Sequence, residues 1–136
     1  MLEPDTGSGY PGAEVNREGR VKATIYHNPR CSKSRQTLAL LEAEGVEAEV
    51  VEYLKSPPDA ATLKHVLGLL GLEPRNLMRR KEAAYKELGL DDEALDEAAL
   101  IAAMVENPIL IERPVVVAGG RAAIGRPPEA VLDLLK

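Results

Sequence analysis

The sequence predicts a small α/β fold in which one mixed sheet packs against helices. A strand–helix–strand pattern begins near residue 21, helical patterns fill residues 57–107, and a strand–turn–strand–helix pattern ends the chain. The first pattern implies two parallel strands joined by a right-handed crossover. Because 136 residues fit one domain, we expect residues 21–136 to form a single domain with a helical insert between its second and third strands.

The N-terminal strand–helix–strand unit spans residues 21–53. Residues 21–26 are partly β-branched and run into a His-Asn-Pro sequence, which is typical of a strand that ends in a loop. Residues 32–44 carry apolar side chains at helical spacing, and Gly45 follows as a helix stop. Residues 46–53 alternate weakly between apolar and polar side chains, which predicts a second strand.

The middle of the chain changes character after a Ser-Pro-Pro-Asp sequence at residues 56–59. Four helical patterns follow, with almost no strand signal before Asn107. Gly71 ends the first pattern, and Asp96 is placed to cap the N-terminus of the last. These patterns together form the predicted helical insert.

The C-terminal part of the chain predicts a hairpin and a final helix. Residues 114–118 and 121–124 are apolar runs on either side of a Gly-Gly pair, which is a strong hairpin signal. Residues 129–135 then show the pattern of an amphipathic helix with proline in its first turn.

Composition and charge exclude several classes of function. The net charge of −5 and the absence of Trp and Phe argue against nucleic-acid binding. No apolar run approaches the roughly 18 residues of a membrane span. Residues 1–20 are rich in Gly, Pro and acidic groups without the features of a signal peptide, so we expect a disordered leader or appended remnant. A single cysteine suits a reducing compartment, and we expect a cytoplasmic protein.

Cys31 is the strongest candidate for a reactive group. It lies at or just before the predicted N-terminus of the first helix, where unpaired backbone N–H groups and the helix dipole favour a thiolate. Four basic residues or histidines lie within four positions of it: His27, Arg30, Lys33 and Arg35. The alternative is a buried, inert cysteine, but polar residues on both sides argue against burial.

Several familiar cysteine and metal motifs are absent. A tyrosine-phosphatase loop would need arginine where Thr37 stands, and a Cys-x-x-Cys pair would need cysteine where Ser34 stands. With one cysteine and only His27 and His65 as histidines, a structural zinc site is not credible, and we expect no metal.

The chain resembles the glutaredoxin-coupled arsenate reductase family from about Ala23 to its C-terminus. The resemblance rests on five segments: His27–Arg35, Leu77–Arg79, Tyr85–Leu90, Asn107–Val117 and Gly125–Pro127. It implies a thioredoxin-like fold with a helical insert, which agrees with the element order read from the residues. A related branch of the family includes Spx-like regulators that bind RNA polymerase and sense disulfide stress, together with YffB-like proteins.

The resemblance implies reduction of arsenate to arsenite. Cys31 would be the nucleophile and His27 would help to activate it, while Arg79, Arg113 and Arg126 match the three anion-binding arginines of the family. Glutathione is the implied co-substrate and glutaredoxin the protein partner, with no bound cofactor. The chemistry is physically reasonable, because guanidinium groups match a tetrahedral oxyanion and stabilise charge that develops on it.

Each implied residue also has a plainer interpretation. Arg79 could belong to a solvated charged face and Arg126 could only decorate a turn, whereas a charge that enters a buried strand at residue 113 needs a partner. His27 could cap loop backbone instead of acting on the thiol. We expect Ser34 to donate a hydrogen bond toward the sulfur and Arg35 to be structural.

Pro114 is the remaining implied site residue. The thioredoxin-like fold places a cis-proline before its third strand, facing the active-site cysteine. Pro114 falls at this position, so we predict a cis Arg113–Pro114 bond and an Arg113 side chain aimed at Cys31.

One departure from the family pattern keeps other functions open. The best-known arsenate reductases carry Gly-Thr after the cysteine, whereas this chain has Ser32-Lys33. A glutathione-dependent thiol reductase with a mixed disulfide at Cys31 is the second interpretation. A non-catalytic Spx-like regulator that binds a protein partner is the third, although such a protein has no need of three arginines around a thiol.

Overall fold

The computed structural model describes residues 15–135, which fall into two compact units. We call residues 15–52 with 113–135 the sheet unit, and residues 53–112 the helical unit. The predicted insert at residues 57–107 lies within the helical unit.

Most of the predicted leader, residues 1–14, lies outside the described residues. The described structure begins before the predicted start at Val21, because Val15 and Val21 form an isolated antiparallel bridge. Between them, the Asn16 side-chain oxygen accepts the N–H groups of Glu18 and Arg20, each at 2.9 Å.

Among the described residues, four strands form one mixed sheet in the order β2-β1-β3-β4. The strands are β1 (Lys22–His27), β2 (Glu47–Glu52), β3 (Val115–Ala118) and β4 (Arg121–Ile124). β1 pairs in parallel with β2 and antiparallel with β3, and β3 pairs antiparallel with β4. The mixed sheet, the parallel pair and the hairpin are therefore confirmed.

Two helical segments pack on this sheet, α1 (Ser32–Ala43) and a C-terminal 3₁₀ helix (Pro128–Leu135). Their apolar side chains and those of the strands form an aliphatic core: Ala23, Ile25, Leu41, Val46, Val116, Ala118, Val131 and Leu134. Burial of this apolar surface is the main stabilising contribution to the unit.

The final helix differs in type from the prediction, which expected an ordinary amphipathic helix at residues 129–135. The Ala130 N–H donates to the Pro127 carbonyl at 2.9 Å, a three-residue closure that defines the tighter 3₁₀ geometry. Pro127 and Pro128 contribute no N–H groups of their own to a four-residue ladder.

The helical unit contains four short helices and one 3₁₀ turn: α2 (Ala60–Leu70), α3 (Pro74–Leu77), α4 (Ala83–Glu87), α5 (Glu97–Glu106) and Pro108–Leu110. The Asp96 carboxylate accepts the Ala99 N–H at 2.9 Å, which confirms the predicted cap of α5. Gly71 ends α2 at φ = 68°, a left-handed conformation that favours glycine. Within residues 15–135, no helix has the length and apolar character needed to cross a membrane.

Candidate active site

Cys31 is the N-cap residue of α1, with an extended backbone at φ = −93° and ψ = 124°. Its N–H donates to the Asn28 carbonyl at 3.0 Å, which closes the loop after β1. Its carbonyl accepts the Arg35 N–H at 3.0 Å and begins the helix. The side chain is partly exposed, so the sulfur lies at a helix N-terminus within reach of solvent.

The pKa of the Cys31 thiol is lowered from its ordinary value. Burial by itself would raise this pKa, but three groups that stabilise the anion outweigh it. They are the backbone N–H of Ser34, the guanidinium of Arg113 and the backbone N–H of Lys33. The thiolate is the nucleophilic form of cysteine, so this environment favours reactivity.

Arg126 is the second arginine beside the sulfur. Its Nη2 lies 3.5 Å from Cys31 Sγ, and its Nε donates to the Arg113 carbonyl at 2.7 Å. The structure therefore brings two of the three predicted arginines to the thiol. The Arg113–Pro114 bond is cis, as predicted, and the Arg126–Pro127 bond is also cis.

His27 and Ser34 form a buried hydrogen-bonded pair beneath the loop. The Ser34 hydroxyl oxygen accepts the Asn28 N–H at 3.0 Å and lies 2.6 Å from His27 Nδ1. Because Asn28 supplies one hydrogen to that oxygen, the hydroxyl hydrogen can be donated to Nδ1 of a neutral histidine. The sequence predicts a hydrogen bond from this hydroxyl toward the sulfur, but in the structure the hydroxyl bonds to His27 and Asn28.

The pKa of His27 is lowered from its ordinary value. Burial lowers it most, the carboxylate of Glu52 opposes this effect, and the positive charge of Arg35 adds to it. A lowered pKa keeps the ring neutral near pH 7. The contact with Ser34 ties His27 to the start of α1, and its predicted role in activating Cys31 stays a prediction.

Asn28 is a site residue beyond those that the sequence predicts. It is buried, and its side-chain oxygen accepts the Arg30 N–H at 3.0 Å. The Arg35 guanidinium donates to the Pro29 carbonyl at 2.9 Å, in line with its expected structural role. The available signal was the Asn-Pro pair, since Asn side chains commonly bond to backbone two residues ahead.

Arg79 lies in the helical unit, where two carboxylates hold its guanidinium. Its Nε is 3.0 Å from Glu82 Oε2 and its Nη1 is 2.7 Å from Glu112 Oε1. Burial opposes its charged form, but these carboxylates outweigh burial and raise the Arg79 pKa. Its predicted role in anion binding stays a prediction.

Pro114 is buried in the sheet unit, and its carbonyl accepts the Gly125 N–H at 2.9 Å. Among residues 15–135, no group of three or more His, Cys, Asp or Glu side chains is placed to hold a metal ion.

The fold and the site together are those of a protein with a reactive cysteine beside arginine side chains. Its cysteine begins the first helix of a β-α-β unit, and arginines from the segments around the hairpin adjoin the sulfur.

Comparison with known proteins identifies the family. Residues 26–134 match the model of the ArsC family, and the chain belongs to this family. It is 63% identical over 112 residues to "Uncharacterized protein YfgD" of Escherichia coli K12, covering 82% of this chain and 94% of that protein. It is 55% identical over 112 residues to an arsenate reductase of Neisseria meningitidis, covering 82% and 96%.

Solved structures agree with this assignment. An arsenate reductase from Vibrio cholerae superposes with a TM-score of 0.84 at 54% identity, covering 85% of this chain and 99% of that one. A structure titled YFFB (PA3664) protein, at 24% identity, has a TM-score of 0.71 and shows the shared fold; the match covers 84% of this chain and 99% of that one. The predicted family resemblance and the thioredoxin-like fold are confirmed.

Proposed function

We propose that this chain reduces arsenate to arsenite, with Cys31 as the nucleophile. The observation that carries the proposal is the convergence of Arg113 and Arg126 on a thiol whose pKa is lowered. A reactive thiolate beside two guanidinium groups suits attack on a tetrahedral oxyanion, because the cations offset repulsion between the two anions. The arsenate reductases among its relatives support the same substrate.

The proposed reaction begins when the Cys31 thiolate attacks arsenic(V). A sulfur–arsenic bond forms, and one oxygen leaves as water after protonation. The thiol of glutathione then reacts with the adduct, arsenic takes two electrons and leaves as arsenite, and Cys31 and glutathione are left joined by a disulfide. Glutaredoxin, with a further glutathione as the source of reducing equivalents, returns Cys31 to the thiol.

The proposed residue roles follow the geometry. Arg113 and Arg126 bind the oxyanion and stabilise the charge that develops on it. His27 supports the loop that carries Cys31. No bound cofactor is needed, since both electrons come from thiols. Because the mechanism needs a reduced cysteine, we place the protein in the cytoplasm.

The deciding experiment is arsenate-dependent oxidation of NADPH, coupled through glutathione reductase, glutathione and glutaredoxin. We expect turnover with the natural sequence and none with C31S. A small mixed disulfide of glutathione in place of arsenate tests the thiol reductase alternative. Turnover of the disulfide without turnover of arsenate would replace the proposal with that alternative, and turnover of neither would favour a regulator.

A further inference from the structure

We infer that Gly125 is a positioning residue for the anion site, because its missing side chain lets the chain after β4 approach α1 closely enough to place Arg126 at the Cys31 sulfur. The inference rests on the proposed role of Arg126 in binding anions. Gly125 is buried and directly precedes Arg126, just beyond the end of β4. Its N–H donates to the Pro114 carbonyl, which ties this segment to the start of β3.

The requirement for glycine at this position is one of space. Gly125 is not among the glycines with positive φ, so its backbone conformation is open to other residues. A Cβ at Gly125 would lie 2.5 Å from Thr37 Oγ1, 2.9 Å from Pro114 Cγ and 3.1 Å from Thr37 Cγ2. All three distances are shorter than the 3.4 Å at which ordinary contacts begin.

The two residues facing Gly125 cannot move aside easily. Thr37 is fully buried in α1, and its hydroxyl donates to the Lys33 carbonyl at 2.8 Å. Pro114 is less than 2% exposed, and its ring has no rotatable side chain to swing away. A methyl group at residue 125 would therefore displace the chain that carries it, by about 0.9 Å to reach an ordinary contact with Thr37.

That displacement would act on the next residue. Arg126 makes two contacts, from Nε to the Arg113 carbonyl at 2.7 Å and from Nη2 to Cys31 Sγ at 3.5 Å. The contact with Cys31, which is the N-cap residue of α1, would lengthen if the segment moved away from α1. A shift near 1 Å in a positioned group is enough to weaken catalysis strongly. The position of the Arg126 charge beside the thiolate therefore depends on the close packing of Gly125 against α1.

The test uses two alkylating reagents of similar size and opposite character, the anion iodoacetate and the neutral iodoacetamide. Arginines beside the thiolate favour the anion, so the ratio of the two rate constants reports the local positive charge independently of arsenate. We expect R126A to lower this ratio about 1.5- to 5-fold, the effect of one exposed charge contact, and G125A to lower it by a similar factor. In the R126A background, G125A should have no further effect.

Controls separate positioning from folding. G120A adds a Cβ with no neighbour within 4 Å in the same hairpin, so its ratio should equal that of the natural sequence. T37A removes two of the three close atoms, Thr37 Oγ1 and Cγ2, and leaves Pro114 Cγ in place, so the double variant G125A/T37A should recover part of the lost ratio. This variant also serves if G125A alone does not fold, as judged by thermal melting.

The possible failures are distinguishable. An unchanged ratio in R126A would overturn the proposed role of Arg126 and the inference with it. A lowered ratio in R126A but an unchanged one in folded G125A would overturn the inference about Gly125 alone. Additive losses in the double variant G125A/R126A, or failure of G125A/T37A to fold, would assign Gly125 a purely structural role.

Discussion

Cys31 occupies the N-cap position of α1, and its thiolate is stabilised by the N–H groups of Lys33 and Ser34 and by the guanidinium of Arg113. The two N–H groups come from the helix itself, so they would adjoin any side chain placed at this position. Arg113 comes from the second segment of the sheet unit, more than 80 positions after Cys31 in the sequence. The thiol therefore owes its lowered pKa to one local and one distant source.

The distant source can be removed by substitution. We predict that R113A raises the pKa of the Cys31 thiol and slows its alkylation at pH 7, because a hydrogen bond and a positive charge are lost together. The measurement is the pH dependence of iodoacetamide alkylation followed by mass. R121A, which removes an exposed arginine at the other end of β4, should leave the profile unchanged. An identical inflection in R113A and the natural sequence would contradict the assignment.

At the scale of elements, hydrogen bonds join the end of β1, the following loop and the start of α1. The Ser34 hydroxyl joins all three, since it meets His27 at the end of the strand and Asn28 in the loop while belonging to the helix. Ser34 is fully buried, so these bonds are shielded from water. They hold the backbone that presents Cys31.

Removing this hydroxyl should therefore cost stability. We expect S34A to lower the free energy of unfolding by about 1–3 kcal/mol, because it leaves buried polar groups of His27 and Asn28 without this partner. Urea denaturation measures the change. S32A alters an exposed serine in the first turn of the same helix and should change stability far less. Equal losses of unfolding free energy in S34A and S32A would show that the buried contacts of Ser34 do not stabilise the protein.

The lowered pKa of His27 links this element to pH. The unfolded chain takes up a proton near pH 6.5, whereas the folded ring resists it until a lower pH. The contribution of His27 to stability is therefore fully present above pH 6.5, the pKa in the unfolded chain. It is lost as the pH falls from there through the lower pKa of the folded protein.

We accordingly predict that the drop in unfolding free energy between pH 7 and pH 5 is smaller in H27N than in the natural sequence. Urea denaturation at the two pH values gives this difference for each chain. H65N is the matched control, since His65 is exposed on α2, and it should keep the full drop. An equal drop in H27N and H65N would show that His27 does not cause the pH dependence of stability.

At the scale of the whole molecule, one feature of the chain limits its redox chemistry. Cys31 is the only cysteine in the sequence, and Ser34 stands where a second cysteine of a Cys-x-x-Cys pair would be. No disulfide can form within one chain. Any two-electron oxidation that ends in a disulfide must join Cys31 to another molecule.

For the proposed reaction, this predicts a glutathione adduct on Cys31. Mass spectrometry of a reaction stalled without glutaredoxin should show one added glutathione per chain, and C31S should show none. Addition of glutaredoxin should remove the adduct. Efficient turnover with thioredoxin in the absence of glutathione would contradict this route.

Local sequence was sufficient for the position of the thiol and for the elements, except for the 3₁₀ geometry of the last helix. The strands, α1, the hairpin, the cap at Asp96 and the helix stop at Gly71 all follow from side-chain periodicity, capping groups and backbone freedom within a few residues. The position of Cys31 at a helix N-terminus follows from the same short-range rules. These features depend on neighbours in the chain, which the sequence displays directly.

The assembly of the site depended on contacts that no local pattern contains. Arg126 meets Cys31 across 95 positions of sequence, because β3 pairs with β1 and β4 with β3. The family resemblance predicted the three arginines as site residues. Only the fold shows that Arg113 and Arg126 adjoin the sulfur. It also shows that Glu82 and Glu112 hold the Arg79 guanidinium. The direction of the Ser34 hydroxyl and the tight space at Gly125 are likewise set by packing between elements, since each depends on which atoms face them in three dimensions.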